Sequence, residues 1–440
     1  MISRRIVLGA AASAVVALSG ASAQAQTEIQ WWHAMGGPLG EKVNQIADGF
    51  NKSQSQYKVV PVNKGQYPEV MTAAIAAFRS GNPPHIVQVF EVGTATLMAA
   101  KGAVKPVYQL MKEAGEPFDS KSYLPAVTGY YSTPQGDMLS FPFNSSTPVF
   151  YINKQAFQKA GLDPNQLPKT WPEVGEAAKK LRASGMACGL TSTWMGWTQI
   201  ENFSAWHNVP IGTKVNGMAG LDTELKVNSP LHVKHLTQLS DWAKDKQFVY
   251  GGRRGDAQAK FNTGECGMLI ESSAGYAAIN RSKQGFDFAV GFLPYWPDVK
   301  GAPQNSIIGG ASLWVMNGKK PEEYKGVAKF FSYLSRPDVQ ADWHQFSGYL
   351  PITPAAYELT QKQGFYEKNP GTDISIKQMT GKPPTENSRG LRFGNFVQIR
   401  DVMDEEFEAM FGGKQNGKQT ADNIVRRGNE LLRRFERDNK

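Results

Sequence analysis

His232 and His235 stand three residues apart, a spacing that sets both on one face of a helix. No carboxylate joins them at zinc-site spacing, and H-E-x-x-H is absent, so the pair reads as a solvated helix face. The other histidines, His33, His85, His207 and His344, are scattered, and no G-x-S-x-G elbow offers a nucleophilic serine. What remains is chemistry for holding a molecule rather than converting it. Trp194 and Trp197 are three apart, so a helical turn would set both indoles on one side; core packing is the competing reading. Ser272 and Ser273 precede an expected helix at Ala274–Asn280. The free N–H groups of a helix start suit an anion, although serines there are also ordinary N-caps. Arg400 stands just ahead of an expected helix Asp401–Phe411. By itself it reads as a plain surface arginine, although a planar guanidinium fork can meet two oxygens of an anion at once.

The elements that must position these groups begin with Glu28–His33, which alternates as a strand does, before a helical period at Val43, Ile46, Ala47 and Phe50. A second strand at Tyr57–Val62, a helix at Tyr67–Gly81 and a third strand at His85–Phe90 complete βαβαβ. That order predicts a parallel sheet with helices on both faces, hence an α/β fold. Ligands on such sheets bind at the carboxyl ends of strands, where Tyr67 and Glu91 fall. Ser140–Asn153 is extended and crosses toward a second lobe. Thr170, Pro172 and Glu173 form a capping box that opens another helix. Ile307–Val315 reads as a buried strand, Lys320–Leu334 as an amphipathic helix, and Thr420–Phe435 as the last helix. Its Arg426-Arg427 and Arg433-Arg434 pairs read as a solvated face.

The first 25 residues carry Arg4-Arg5, a short apolar run and overlapping A-x-A sites after Ala23 and Ala25, the pattern of a cleaved export signal. Arg4-Arg5 also matches a twin-arginine signal, and both export routes stay open. The roughly 415 remaining residues exceed one comfortable core, so two lobes are expected. Losing Arg4 and Arg5 lowers the net charge from +9 to about +7, a mild excess that suits an anionic ligand or a plain solvated surface. No basic run with interleaved aromatics exists, which disfavours nucleic acid. Cys188 and Cys266 either pair in an oxidising compartment or are two buried thiols.

Phe150–Lys154 through Ala160–Pro164, Pro168–Trp171, Gly326–Phe331, Trp343–Gln345 and Gly348–Ile352 are similar to the family 1 extracellular solute-binding proteins of ABC importers. Within that family, Phe90–Thr96, Pro142–Pro148, Glu201–Trp206, Ile308–Met316, Gln363–Gly371 and Arg427–Asn429 resemble the branch that binds sn-glycerol 3-phosphate.

The resemblance implies a periplasmic-binding-protein fold with two hinge-linked, discontinuous lobes. They are expected at 26–139 plus 304–349 and at 140–303 plus 350–440, with ligand in the cleft between them. It implies a periplasmic monomer that hands sn-glycerol 3-phosphate, or a glycerophosphodiester, to membrane permease subunits served by a cytoplasmic ATPase, without a cofactor or catalysis. The implied ligand contacts are Tyr67, Glu91, Ser146, Trp194, Trp197, Ser272, Gly310, Tyr349 and Arg400. Arg400, Ser146, Ser272 and the Gly310 N–H would read phosphate, with Ser273 left as the helix cap. A glycine at 310 would let the ligand approach the backbone. Glu91 would accept from the glycerol hydroxyls, the tryptophans would cover its carbons, and Tyr67 and Tyr349 would each give a hydroxyl. The rival functions are a sugar- or oligosaccharide-binding protein of the same family and a periplasmic glycerophosphodiester hydrolase.

Overall fold

The computed structural model describes residues 26–133 and 135–440, so the expected export signal lies outside the described residues. The N-terminal βαβαβ forms as the alternation dictates. β1 (Thr27–His33) lies between β2 (Tyr57–Asn63) and β3 (Ile86–Phe90), parallel to both. Helices Gly37–Ser53 and Tyr67–Arg79 connect them, the second opening with Pro68 in its first turn. After β4 (Val104–Lys105) the chain runs through β5 (Phe141–Ser146), and this sheet is completed by β11 (Gly309–Met316), antiparallel to β3, β4 and β5. Its order is β2-β1-β3-β11-β4, with β5 also on β11.

The second sheet runs β10-β6-β9-β7-β8. Its strands are β6 (Pro148–Asn153), β7 (Cys188–Ser192), β8 (Phe248–Val249), β9 (Cys266–Ser272) and β10 (Phe288–Gly291). β7, β8 and β9 are parallel; β6 and β10 run against their neighbours. The strand expected over Ser140–Asn153 is therefore two strands in two sheets, and the chain changes sheet at Thr147. Thr147 is fixed there by a buried polar knot: its hydroxyl donates to Ser306 at 2.5 Å, and Gln378 donates to the Pro148 carbonyl at 2.8 Å.

Apolar packing follows the periodicity. Trp31 and Ile29 of β1 are buried, with the Trp31 ring 5.5 Å from Phe330 of helix Pro321–Leu334. The helix Trp171–Ala183 opens with the expected capping box, Thr170 accepting from the Glu173 N–H and Glu173 from the Thr170 N–H. Cys188 and Cys266, opposite each other on β7 and β9, are joined as a disulfide, which decides between the two open readings.

His232 and His235 depart from expectation. Both are buried rather than solvated. His232 is held between Ser204 (2.8 Å) and Ser229 (2.7 Å), while His235 meets Gln199 (2.9 Å) and stacks on Phe203. A three-residue spacing names a common face but not which way it points, and here hydrogen-bonding partners make burial tolerable.

A candidate ligand cleft between the two sheets

All nine candidate residues border one cavity of about 290 Å³. From the first sheet come Tyr67 at the start of helix Tyr67–Arg79, Glu91 just past β3, Ser146 at the end of β5 and Gly310 in β11. The second contributes Trp194 and Trp197 beyond β7 and Ser272 at the end of β9. Tyr349 follows helix Pro337–Ser347, and Arg400 lies in helix Phe396–Phe411. A wider depression of about 1590 Å³, lined by Trp206, Trp242, Phe292 and Trp296 among others, touches none of the nine.

Arg400 differs from its expected setting in two ways. It lies inside a helix, because Phe396 and Ile399 are buried and extend the apolar stripe back by more than a turn. It is also committed to two carboxylates. Its Nε and Nη2 donate to the two Glu201 oxygens at 2.8 and 2.7 Å, and Nη2 also donates to Glu91 at 2.5 Å. Arg400 and Glu91 therefore touch, so a ligand that meets both would present neighbouring groups to them. All three side chains are nearly enclosed, at 12%, 4% and 1% exposure for Arg400, Glu91 and Glu201. Burial raises the Glu91 carboxyl above its ordinary value against the pull of Arg400, with Glu201 adding to the rise. Burial alone would lower Arg400, but Glu201 and Glu91 push it up and keep it charged. Nη1, with its two N–H groups, makes no hydrogen bond to a described residue.

Glu201 was not among the sequence candidates. Its signal was available: it is the only charged residue between Arg182 and Lys214, and a buried lone carboxylate demands a cation. Glu271 was missed as well. It is buried, borders the cavity and accepts the Ser272 N–H at 2.6 Å.

The hydroxyl donors are well supported. Tyr67 stacks on Phe90 and accepts from Asn144 at 2.9 Å, while Tyr349 stacks on Trp343. Burial raises both phenols, so both stay protonated and can donate. Ser272 borders the cavity and accepts the Ala274 N–H at 3.1 Å, whereas the buried Ser273 hydroxyl has no partner among the described residues; the expected cap at Ser273 is absent, since helix Gly275–Ser282 has Ala274 at its N-cap and no side chain capping it. Gly310 owes its type to more than ligand approach. At φ +93° a side chain is strained, and a Cβ would lie 1.9 Å from the Asn144 carbonyl oxygen on β5. The tryptophans do not share a regular helical turn. Trp194 is left-handed (φ +46°) ahead of a π-helical turn at Gly196–Glu201, yet both border the cavity.

Among the described residues no cluster of His, Cys, Asp and Glu could hold a metal, and no helix is long and apolar enough to cross a membrane.

Residues 45–372 match the family described as bacterial extracellular solute-binding protein. The sn-glycerol-3-phosphate-binding periplasmic protein UgpB of Brucella suis biovar 1 (strain 1330) is 54% identical over 98% of this chain and 99% of its own length. That of Yersinia pseudotuberculosis serotype I (strain IP32953) is 56% identical over 96% and 95%. Among solved structures, UgpB from Mycobacterium tuberculosis in complex with glycerophosphocholine superposes with a TM-score of 0.77 at 22% identity, over 93% of this chain and 99% of that one. Maltose-bound T. maritima MalE3 superposes at 0.73 and 17% identity, over 92% and 100%. At these identities the likeness concerns the two-lobed fold.

Proposed function

The chain belongs to the bacterial extracellular solute-binding proteins, and from that premise we propose that it captures sn-glycerol 3-phosphate and glycerophosphodiesters built on it. The ligand passes to the permease of an ABC importer driven by a cytoplasmic ATPase. The protein works as a periplasmic monomer, exported on a signal removed after Ala23 or Ala25, and turns nothing over. Its lobes part at Thr147 rather than at the expected 139/140, because β5 belongs to the first sheet, which gives 26–146 plus 304–349 and 147–303 plus 350–440.

One observation carries the reading: phosphate donors and hydroxyl acceptors from both sheets converge on a single cavity. Arg400 Nη1, the Ser146 and Ser272 hydroxyls, the Gly310 N–H and the two tyrosines supply donors for phosphate oxygens. The second oxygen of Glu91 accepts from a glycerol hydroxyl, and the tryptophans cover the carbons. Because Arg400 and Glu91 are bonded to each other from opposite sides of the cleft, closing the lobes and completing the site are one event.

Competition calorimetry on one batch of protein tests this. sn-Glycerol 3-phosphate should bind far more tightly than inorganic phosphate or glycerol alone, since joined groups lose translational freedom once. Equal competition by inorganic phosphate would remove the glycerol-reading roles, and stronger binding of maltose would redirect the protein to sugars. Release of glycerol or choline from a diester would make it a hydrolase.

A further inference from the structure

Glu271 has no place in the ligand scheme above, yet it lines the same cavity with 4% of its surface exposed. It lies in β9 opposite Val149, one residue before Ser272, whose N–H it accepts at 2.6 Å. The fold makes room for it: a Cβ at Gly275, the first residue of helix Gly275–Ser282, would meet Glu271 Cγ at 2.6 Å.

The groups facing Glu271 supply no cation. Tyr151 of β6 donates its hydroxyl to the Ser272 and Ser273 carbonyls, and Gln258 donates to the Gly275 carbonyl. Tyr349 and Tyr67 stand across the cavity as neutral phenols. The one basic side chain lining the cavity among the described residues is Arg400, already shared between Glu91 and Glu201. Asp401 and Asp404 lie beside Arg400 in an adjoining hollow, where burial raises both carboxyls against Arg253 and Arg254; Arg254, the hollow's other cation, is itself paired with Glu69. An ionised Glu271 would therefore add a third carboxylate to a site with one guanidinium, before any phosphate arrives. Closing such a site on a dianion buries uncompensated like charge.

We propose that Glu271 receives the ligand as a carboxylic acid, its O–H donating to a phosphate oxygen, so that one proton enters the cleft with each dianion captured. This rests on the phosphate reading given above. No bond other than the carboxyl O–H is involved; solvent supplies the proton when Glu271 is ionised beforehand. Burial already holds this carboxyl up at about 7, against the Thr193 hydroxyl and the Ser272 N–H. A phosphate monoester has its second ionisation near pH 6, so above about pH 7.5 sn-glycerol 3-phosphate is a fixed dianion and cannot itself be the source of pH dependence.

Calorimetry with sn-glycerol 3-phosphate from pH 7.5 to 9, in buffers of unequal ionisation enthalpy, tests the proposal. Wild-type protein should take up about one proton per ligand, and its Kd should weaken about tenfold from pH 8 to 9. Glu271→Gln keeps a donor without titrating. It should bind with a pH-independent Kd, take up no proton, and surpass the wild type at pH 9. A flat wild-type Kd with no proton uptake overturns the inference alone, a result that needs no variant. So does a folded Glu271→Gln that binds more weakly than wild type at pH 9, since Glu271 would then be an ionised acceptor. Failure of the wild type to bind at any pH overturns the phosphate reading and this inference with it.

Discussion

Arg254, on the loop after β8, donates across the cleft to Glu69 of helix Tyr67–Arg79 at 3.0 Å. Arg281 reaches Glu41 in the same way at 3.2 Å. These half-exposed pairs tie the lobes together at the rim, whereas the enclosed Arg400–Glu91 pair ties them at the ligand. Exposed pairs contribute about 0–1 kcal/mol. Arg254→Ala should therefore weaken ligand binding by less than about fivefold, and small-angle scattering of the ligand-free variant should show a larger radius of gyration. A profile identical to wild type would mean the rim pairs do not bias closure.

Arg400→Ala should cost far more, and in two currencies. Removing one partner of an enclosed, hydrogen-bonded charge pair typically costs about 2–5 kcal/mol, so binding should fall by at least about 30-fold and the melting temperature should drop. Without the pull of Arg400, burial would hold the Glu91 proton to still higher pH than in the unfolded chain, which favours the folded state at low pH. The stability deficit of the variant should accordingly shrink from pH 8 to pH 5 in urea titrations. A deficit that grows on acidification would mean the carboxylates had found other partners.

Burial lowers His207 and His344 to about 4 and His232 to about 3. A histidine harder to protonate when folded contributes stability fully above about pH 6.5, and loses it as pH falls toward the folded value. At pH 5 each should forfeit about 2 kcal/mol. Urea midpoints should fall steadily from pH 7 to pH 5, and an unchanged midpoint would show that these side chains carry charge inside the fold.

Gly310→Ala should bind ligand weakly and melt early. The substituent would meet the Asn144 carbonyl on β5 and force a left-handed backbone on a non-glycine residue. Wild-type affinity and melting temperature in this variant would mean that β5 can move away freely.

Breaking the Cys188–Cys266 bridge by double alanine substitution should lower unfolding free energy by about 2–4 kcal/mol. Ligand affinity should stay intact, because the bridge joins the starts of β7 and β9 whereas Ser272 closes the other end of β9. Loss of binding without loss of stability would show that the bridge positions the cleft.

Periodicity was enough to read the βαβαβ start, the Thr170–Glu173 cap and the helix Pro321–Leu334, because each depends on local spacing alone. Sheet membership was harder. Nothing local marks Thr147 as the point where an extended stretch leaves one sheet for the other; the knot with Ser306 and Gln378 that fixes it spans distant parts of the chain. That the nine residues would share one cavity was legible through resemblance, but their mutual charges were not. Glu201 and Glu271 sit in apolar runs; only the fold brings Arg400 to Glu201 and sets Glu271 against the cavity. The direction of the His232/His235 face was likewise set by Ser204, Ser229 and Gln199, which spacing does not reveal.

The strand order also dictates when each sheet can be finished as the chain is made from its N-terminus. β3 and β5 both wait for β11, which begins only at Gly309. All five strands of the second sheet, ending at Gly291, are out before then. The half of the molecule that begins the chain is therefore the last to close. Until it does, β3 and β5 present unpaired edges, the kind that template association between chains. Newly made protein should be most vulnerable to aggregation and proteolysis in that interval, and a chain cut short before Met316 should never escape it.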